Sequence, residues 1–126
     1  MEYCSDFRYD LKLGQIKEKE LADIFNDKTI EVKTDLQAKE TGRVYVEYES
    51  RGKPSGISKS KADYYCFVIA EKSFIIIETD KLKDKCRKYL NTHLDKKGGD
   101  NDTSKGILLP LIDLLWWKQL ANLKKN

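Results

Sequence analysis

Glu31 and Lys33 stand two apart in the run Ile30-Glu31-Val32-Lys33-Thr34-Asp35, whose β-branched residues read as a strand. Side chains two apart on a strand share a face and lie about 7 Å from each other along the backbone. A carboxylate and an ammonium are costly to bury without partners, so an acid and a lysine aimed at one spot in an apolar run point to a prepared polar site. Metal-assisted cleavage of a phosphodiester suits such a site. That reaction needs an activated water, charge neutralisation at the phosphate and a stabilised leaving oxygen, and one or two Mg²⁺ ions supply all three. Magnesium prefers oxygen ligands and keeps several waters, so two or three carboxylates from separate elements suffice. Lys33 would orient the water or hold developing negative charge.

Several elements must position this pair. Leu13, Ile16, Leu21, Ile24 and Phe25 recur at roughly helical spacing and predict an amphipathic helix over 13–26, from which Glu18 or Glu20 could lean inward. Strands are expected over 29–34 and 43–49, joined through a Thr41-Gly42 turn signal, and an antiparallel pair is the simplest arrangement. That pairing would bring Glu47 close to Glu31, with Glu49 on the same face as Glu47. Arg51-Gly52-Lys53-Pro54-Ser55-Gly56 reads as an irregular loop. Tyr64-Tyr65-Cys66-Phe67-Val68-Ile69 and Phe74-Ile75-Ile76-Ile77-Glu78 flank Glu71-Lys72 as a hairpin of central strands. Asp80 is expected to cap a helix running to about Asn91, residues 95–105 to form a surface loop, and Ile107-Leu108-Leu109 a short last strand. Pro110 suits the first turn of a terminal helix, in which Trp116-Trp117 would complete the core or a dimer contact. The order of elements implies an α/β (α+β) fold, a mixed sheet flanked by helices, in one domain spanning 1–126.

A helix bearing an acid followed by a strand reading Glu31-Val32-Lys33 resembles the PD-(D/E)XK nuclease superfamily. The longer stretch, continuing through Thr41-Gly42-Arg43-Val44-Tyr45-Val46-Glu47-Tyr48-Glu49-Ser50 to Lys53-Pro54-Ser55-Gly56-Ile57, is similar to a group of small phage-encoded nuclease-like proteins. The resemblance covers about residues 10 to 70 and implies a restriction-endonuclease-like fold. It implies a Mg²⁺- or Mn²⁺-dependent DNA endonuclease acting on recombination, repair or degradation intermediates, branched DNA among them. Residue by residue, the helix acid falls on Glu18, four after Gly14. The superfamily's acid and lysine fall on Glu31 and Lys33, which leaves Asp27 or Asp23 as the upstream acid. A second mapping makes Glu31 the upstream acid and Glu47 the third ligand, with Glu49 where some restriction enzymes carry an acid instead of lysine. The hairpin favours the second mapping. The expected site is therefore Glu18, Glu31, Lys33 and Glu47, with the three acids as metal ligands and Asp27 in reserve. Lys53, Ser55 and Lys59 are the expected contacts to DNA phosphates.

The charge balance, 24 Lys and Arg against 21 Asp and Glu, is too even to indicate nucleic acid by itself. Its distribution says more: no acid occurs from Ser50 to Ala62, and basic residues dominate from Lys81 to Lys97, so the two segments could form a phosphate-facing rim. Cys4, Cys66 and Cys86 stand far apart and His93 is the one imidazole, which indicates neither a zinc site nor a disulfide framework. No apolar run approaches the roughly 20 residues that cross a bilayer. A cytoplasmic protein, in the host cell if phage-encoded, is expected. Two readings compete with the nuclease: a binding module that keeps the fold but does not cleave, and an inhibitor of a host protein. Symmetric cutting of two strands would require a homodimer.

Overall fold

The chain turns out of its first sheet immediately after β1, and this sets the architecture. The computed structural model describes residues 2–115, with side chains described over 8–115. In chain order the elements are α1 (Glu2–Asp27), β1 (Ile30–Thr34), α2 (Ala38–Thr41), β2 (Arg43–Ser50), β3 (Lys53–Pro54), a 3-10 turn at Gly56–Ser58, β4 (Tyr64–Ala70), β5 (Ser73–Glu78), α3 (Thr79–Arg87), β6 (Asp95–Gly98), a second 3-10 turn at Asp100–Asp102, and β7 (Ser104–Pro110). Residues 111–115 are helical. The mixed α+β class expected from the element order is what the protein adopts.

The strands form two sheets, of order β1-β4-β5 and β3-β2-β7-β6. The expected antiparallel pairing of the first two strands does not occur. β1 runs parallel to β4 with Glu31 beside Tyr65 and Lys33 beside Phe67, whereas β2 pairs antiparallel with β7 from Arg43↔Pro110 to Ser50↔Ser104. Two local interactions explain the departure. The Asp35 N–H donates to the Val68 carbonyl at 2.9 Å and prolongs the β1–β4 ladder past the point where a hairpin would turn. The one-turn α2 then buries Ala38 completely and redirects the chain before β2 begins.

The expected hairpin around Glu71-Lys72 is present as β4–β5, and the inner-facing Tyr65, Phe67 and Ile77 are buried. Across from them, Val44 and Val46 of β2 stand in register with Leu109 and Ile107 of β7, all four buried. These two apolar faces share one core with Leu82 and Cys86 of α3 and with Ile57 of the first 3-10 turn.

Other boundaries move for identifiable reasons. α1 begins far upstream of residue 13, so the polar start is helical too. α3 starts at Thr79 and ends at Arg87, before the expected Asn91. The stretch 95–105 is not a surface loop: Asp95–Gly98 pairs with Ser104–Lys105 and beyond, because glycine at 98 and 106 leaves room for the Tyr45 ring. A Cβ at Gly106 would lie 2.5 Å from that ring. Pro110 closes β7 instead of opening a helix. Trp116 and Trp117 lie outside the described residues.

Lys85 is the unusual member of the inner face of α3, being only 4% exposed. Burial, first, and then Lys88 push its ammonium down from an ordinary 10.5 to about 8, with Asp113 opposing and Lys81 adding to the fall. Between those values the unfolded chain holds a proton that the folded chain has lost, so this side chain's contribution to stability rises with pH through that window. Lys85→Met is expected to be more stable than wild type below pH 8, with the advantage shrinking towards pH 10.5. Urea midpoints measured across that range check the trend.

Candidate active site

β1 positions the first two candidates by simple alternation. Glu31 and Lys33 share the face of the first sheet that carries Tyr65 and Phe67, since partners in a ladder point the same way. Glu31 is half-buried and Lys33 exposed, as the edge position of β1 allows. Phe67 is fully buried beside Lys33, so that lysine's stem lies against apolar surface while its amine reaches water.

The second sheet supplies Glu47. Over Arg43–Glu47 the edge of β2 away from β7 has no strand partner, because β3 pairs only at Glu49 and Ser50. Asp35, directly after β1, reaches that edge: its Oδ2 accepts the Tyr45 N–H at 3.1 Å. One carboxylate thus ties the end of the first sheet to the free edge of the second. Beside the tie opens a cleft of about 220 Å³ lined by Lys33, Tyr45, Val46, Glu47, Ile57 and Tyr65, with Gly56 and Phe67 completing it.

Groups around the cleft are held with some care. Ser55 Oγ donates to Glu47 Oε2 at 2.9 Å and fixes that carboxylate. Gly56 makes this possible: at φ +53° it adopts a conformation that costs an L side chain, and a Cβ there would lie 2.2 Å from the Glu47 carbonyl oxygen. The Tyr65 hydroxyl is buried without a hydrogen bond of ordinary geometry among the described residues. Its pKa is raised, first by burial and further by the nearby Glu31 charge, while Ser60 pulls the other way. Burial likewise raises Tyr45, whose hydroxyl shares a 2.9 Å hydrogen bond with Ser104 Oγ.

The expected set is therefore brought together in part. Lys33 and Glu47 line one cleft, and Glu31 stands one pleat along β1 against Tyr65. Glu18 is exposed on α1, which makes no extended contact with any other element, and Asp27 is exposed at its end. Glu49 follows a bulge in β2 and lies 3.7 Å from Lys105 Nζ. Lys53 and Lys59 are exposed on either side of the Ser55–Gly56 wall, while the Ser55 hydroxyl is engaged by Glu47. Among the described residues no group of three or more His, Cys, Asp or Glu side chains stands close enough to hold a metal. Two carboxylates, Glu31 and Glu47, are what the cleft and its margin offer a cation. That number fits magnesium, which commonly takes one or two carboxylates together with waters and substrate phosphates.

Asp35, Tyr45, Tyr65 and Gly56 belong to this site, and residue-type reasoning passed over them. Asp35 was marked only by its place as a short polar residue ending a strand, and Gly56 only by its turn composition.

Comparison with family models, curated proteins and solved structures finds no match to the chain. Among the described residues no helix is long and apolar enough to cross a membrane.

Asp35→Ala should leave the part-buried Tyr45 N–H without its acceptor and cost about 1–3 kcal/mol in urea unfolding. Asp35→Asn keeps an acceptor oxygen and should lose less. Equal loss in both would mean that the acceptor is unimportant.

Proposed function

We propose that this protein is a metal-dependent DNA endonuclease that hydrolyses phosphodiester bonds, working in the cytoplasm on recombination, repair or degradation intermediates. The observation that carries the reading is that Lys33 and Glu47, from different sheets, line the same cleft, with Glu31 on the face that Lys33 occupies. In this reading Glu31 and Glu47 hold Mg²⁺ or Mn²⁺, which when bound activates water and neutralises phosphate charge. Lys33 places its ammonium against the non-bridging oxygens where negative charge grows. Ser55 keeps Glu47 from turning away, and the buried Tyr65 limits water on the inner side. Lys53 and Lys59, exposed around the same wall, steer the DNA backbone towards the cleft.

A second reading keeps the fold and the basic rim without cleavage, as a DNA- or protein-binding module. The lack of a three-ligand cluster among the described residues favours it.

Purified protein incubated with linear, supercoiled, single-stranded and four-way-junction DNA, with Mg²⁺, Mn²⁺ or EDTA, separates the two. The nuclease reading expects metal-dependent products, reduced about 10²–10³-fold in Glu31→Ala, Lys33→Ala and Glu47→Ala, the size of loss typical when one charge-stabilising group is removed. Binding without products, unchanged by these substitutions, would leave the module reading standing and remove the enzyme.

A further inference from the structure

The largest unexplained feature lies outside the cleft. α1 is 26 residues long, about 39 Å at 1.5 Å per residue, and makes no extended contact with the rest of the chain. A helix on its own in water is marginal, and most helical stability comes from burying an apolar face. Yet Tyr9, Leu11, Leu13, Ile16, Leu21 and Phe25 are 38–67% exposed. Exposed apolar surface of this extent marks an interaction site.

We propose that α1 is a self-association element that pairs antiparallel with α1 of a second copy. Leu11, Gly14, Glu18, Leu21 and Phe25 follow one another at intervals of three and four, the spacing of a seam between two helices. Antiparallel pairing centred near Ile16 sets Leu11 of each copy against Leu21 of the other, and Glu18 against Gly14. Glycine at that place has an explanation only if something approaches closely. Within its own chain nothing lies within 4 Å of where a Cβ would be, so Gly14 forfeits about 1 kcal/mol of helix propensity for no internal gain. Charge selects the direction. A parallel pair would oppose Glu18 to Glu18, whereas the antiparallel pair gathers two Glu18 carboxylates and two Lys17 ammoniums about the crossing. The area is adequate as well. Six half-exposed large side chains leave on the order of 600 Å² uncovered. With the stems of Lys12 and Lys17 this approaches the roughly 800 Å² per partner of a standard interface.

The proposal does not depend on nuclease activity, and its test contains no DNA, so either reading can fail alone. Sedimentation equilibrium of the whole chain across the micromolar range should give a two-chain mass for wild type. The double substitution Leu11→Asp with Leu21→Asp should weaken association by about a hundredfold or more, in line with removing two central apolar anchors. Both sites lie on a helix without extended contacts to the core, so near-ultraviolet circular dichroism should report intact packing of Tyr65 and Phe67. Gly14→Leu adds a check that propensity alone would answer differently. It strengthens an isolated helix but should weaken the pair by blocking close approach. A one-chain mass for wild type, including the case in which residues 116–126 of the same chain cover α1, overturns the proposal. So does a two-chain mass unchanged in both variants.

Discussion

Two sheets in this protein are joined at one seam by an aspartate that follows a strand. Asp35 gives its backbone N–H to Val68 in the first sheet and takes the Tyr45 N–H of the second on its side-chain oxygen. Neither sheet presents a working site alone: β1 holds Glu31 and Lys33 at an open edge, and β2 holds Glu47 at another. Joining these edges makes a cleft, and the cleft faces an apolar wall of Phe67 and Ile57 that restricts where water can enter. Hydrogen bonds to a charged acceptor are among the stronger ones, which suits a single link with so large a geometric consequence.

Rigidity around the cleft is uneven. Glu47 is pinned by Ser55, and its backbone is pressed against Gly56, so the wall on that side has little freedom. Lys33 has an exposed amine on a long stem and remains adjustable. A fixed acid opposite a movable cation suits a site that must accept a flexible polyanion and then hold it.

How much of this could be read from residues alone depends on whether the information was local. The β4–β5 hairpin was readable because two apolar runs flank a short polar turn, and both runs are long enough to be central strands. Glu31 and Lys33 share a face because a strand alternates with period two, whatever its neighbour. Partner choice was not readable. Alternation in β2 says which residues face the core but nothing about whether β1 or β7 lies alongside, and the deciding contacts come from Ala38 and Asp35, residues without a strong pattern. Glu47 reaches the neighbourhood of Lys33 as expected, though through meeting sheet edges and not through a hairpin. β6 was hidden by its glycines, which look like loop punctuation and serve to seat the Tyr45 ring. Glu18 had a plausible place on an amphipathic helix, yet helical periodicity cannot say which surface that helix covers.

The order of strands also governs how the molecule assembles as it is made. The first sheet draws on residues 30 to 78 and can close while the chain is still growing. β2 pairs along its length with β7, so residues 43 to 50 wait for residues 104 to 110. Contacts of such wide separation form slowly, since the intervening loop must be closed before any ladder bond rewards it. During synthesis, the apolar Val44 and Val46 therefore remain without their strand partner until nearly the whole chain has left the ribosome. In that interval the acidic residues that alternate with them, Glu47 and Glu49, act as guards against unwanted pairing with other nascent chains.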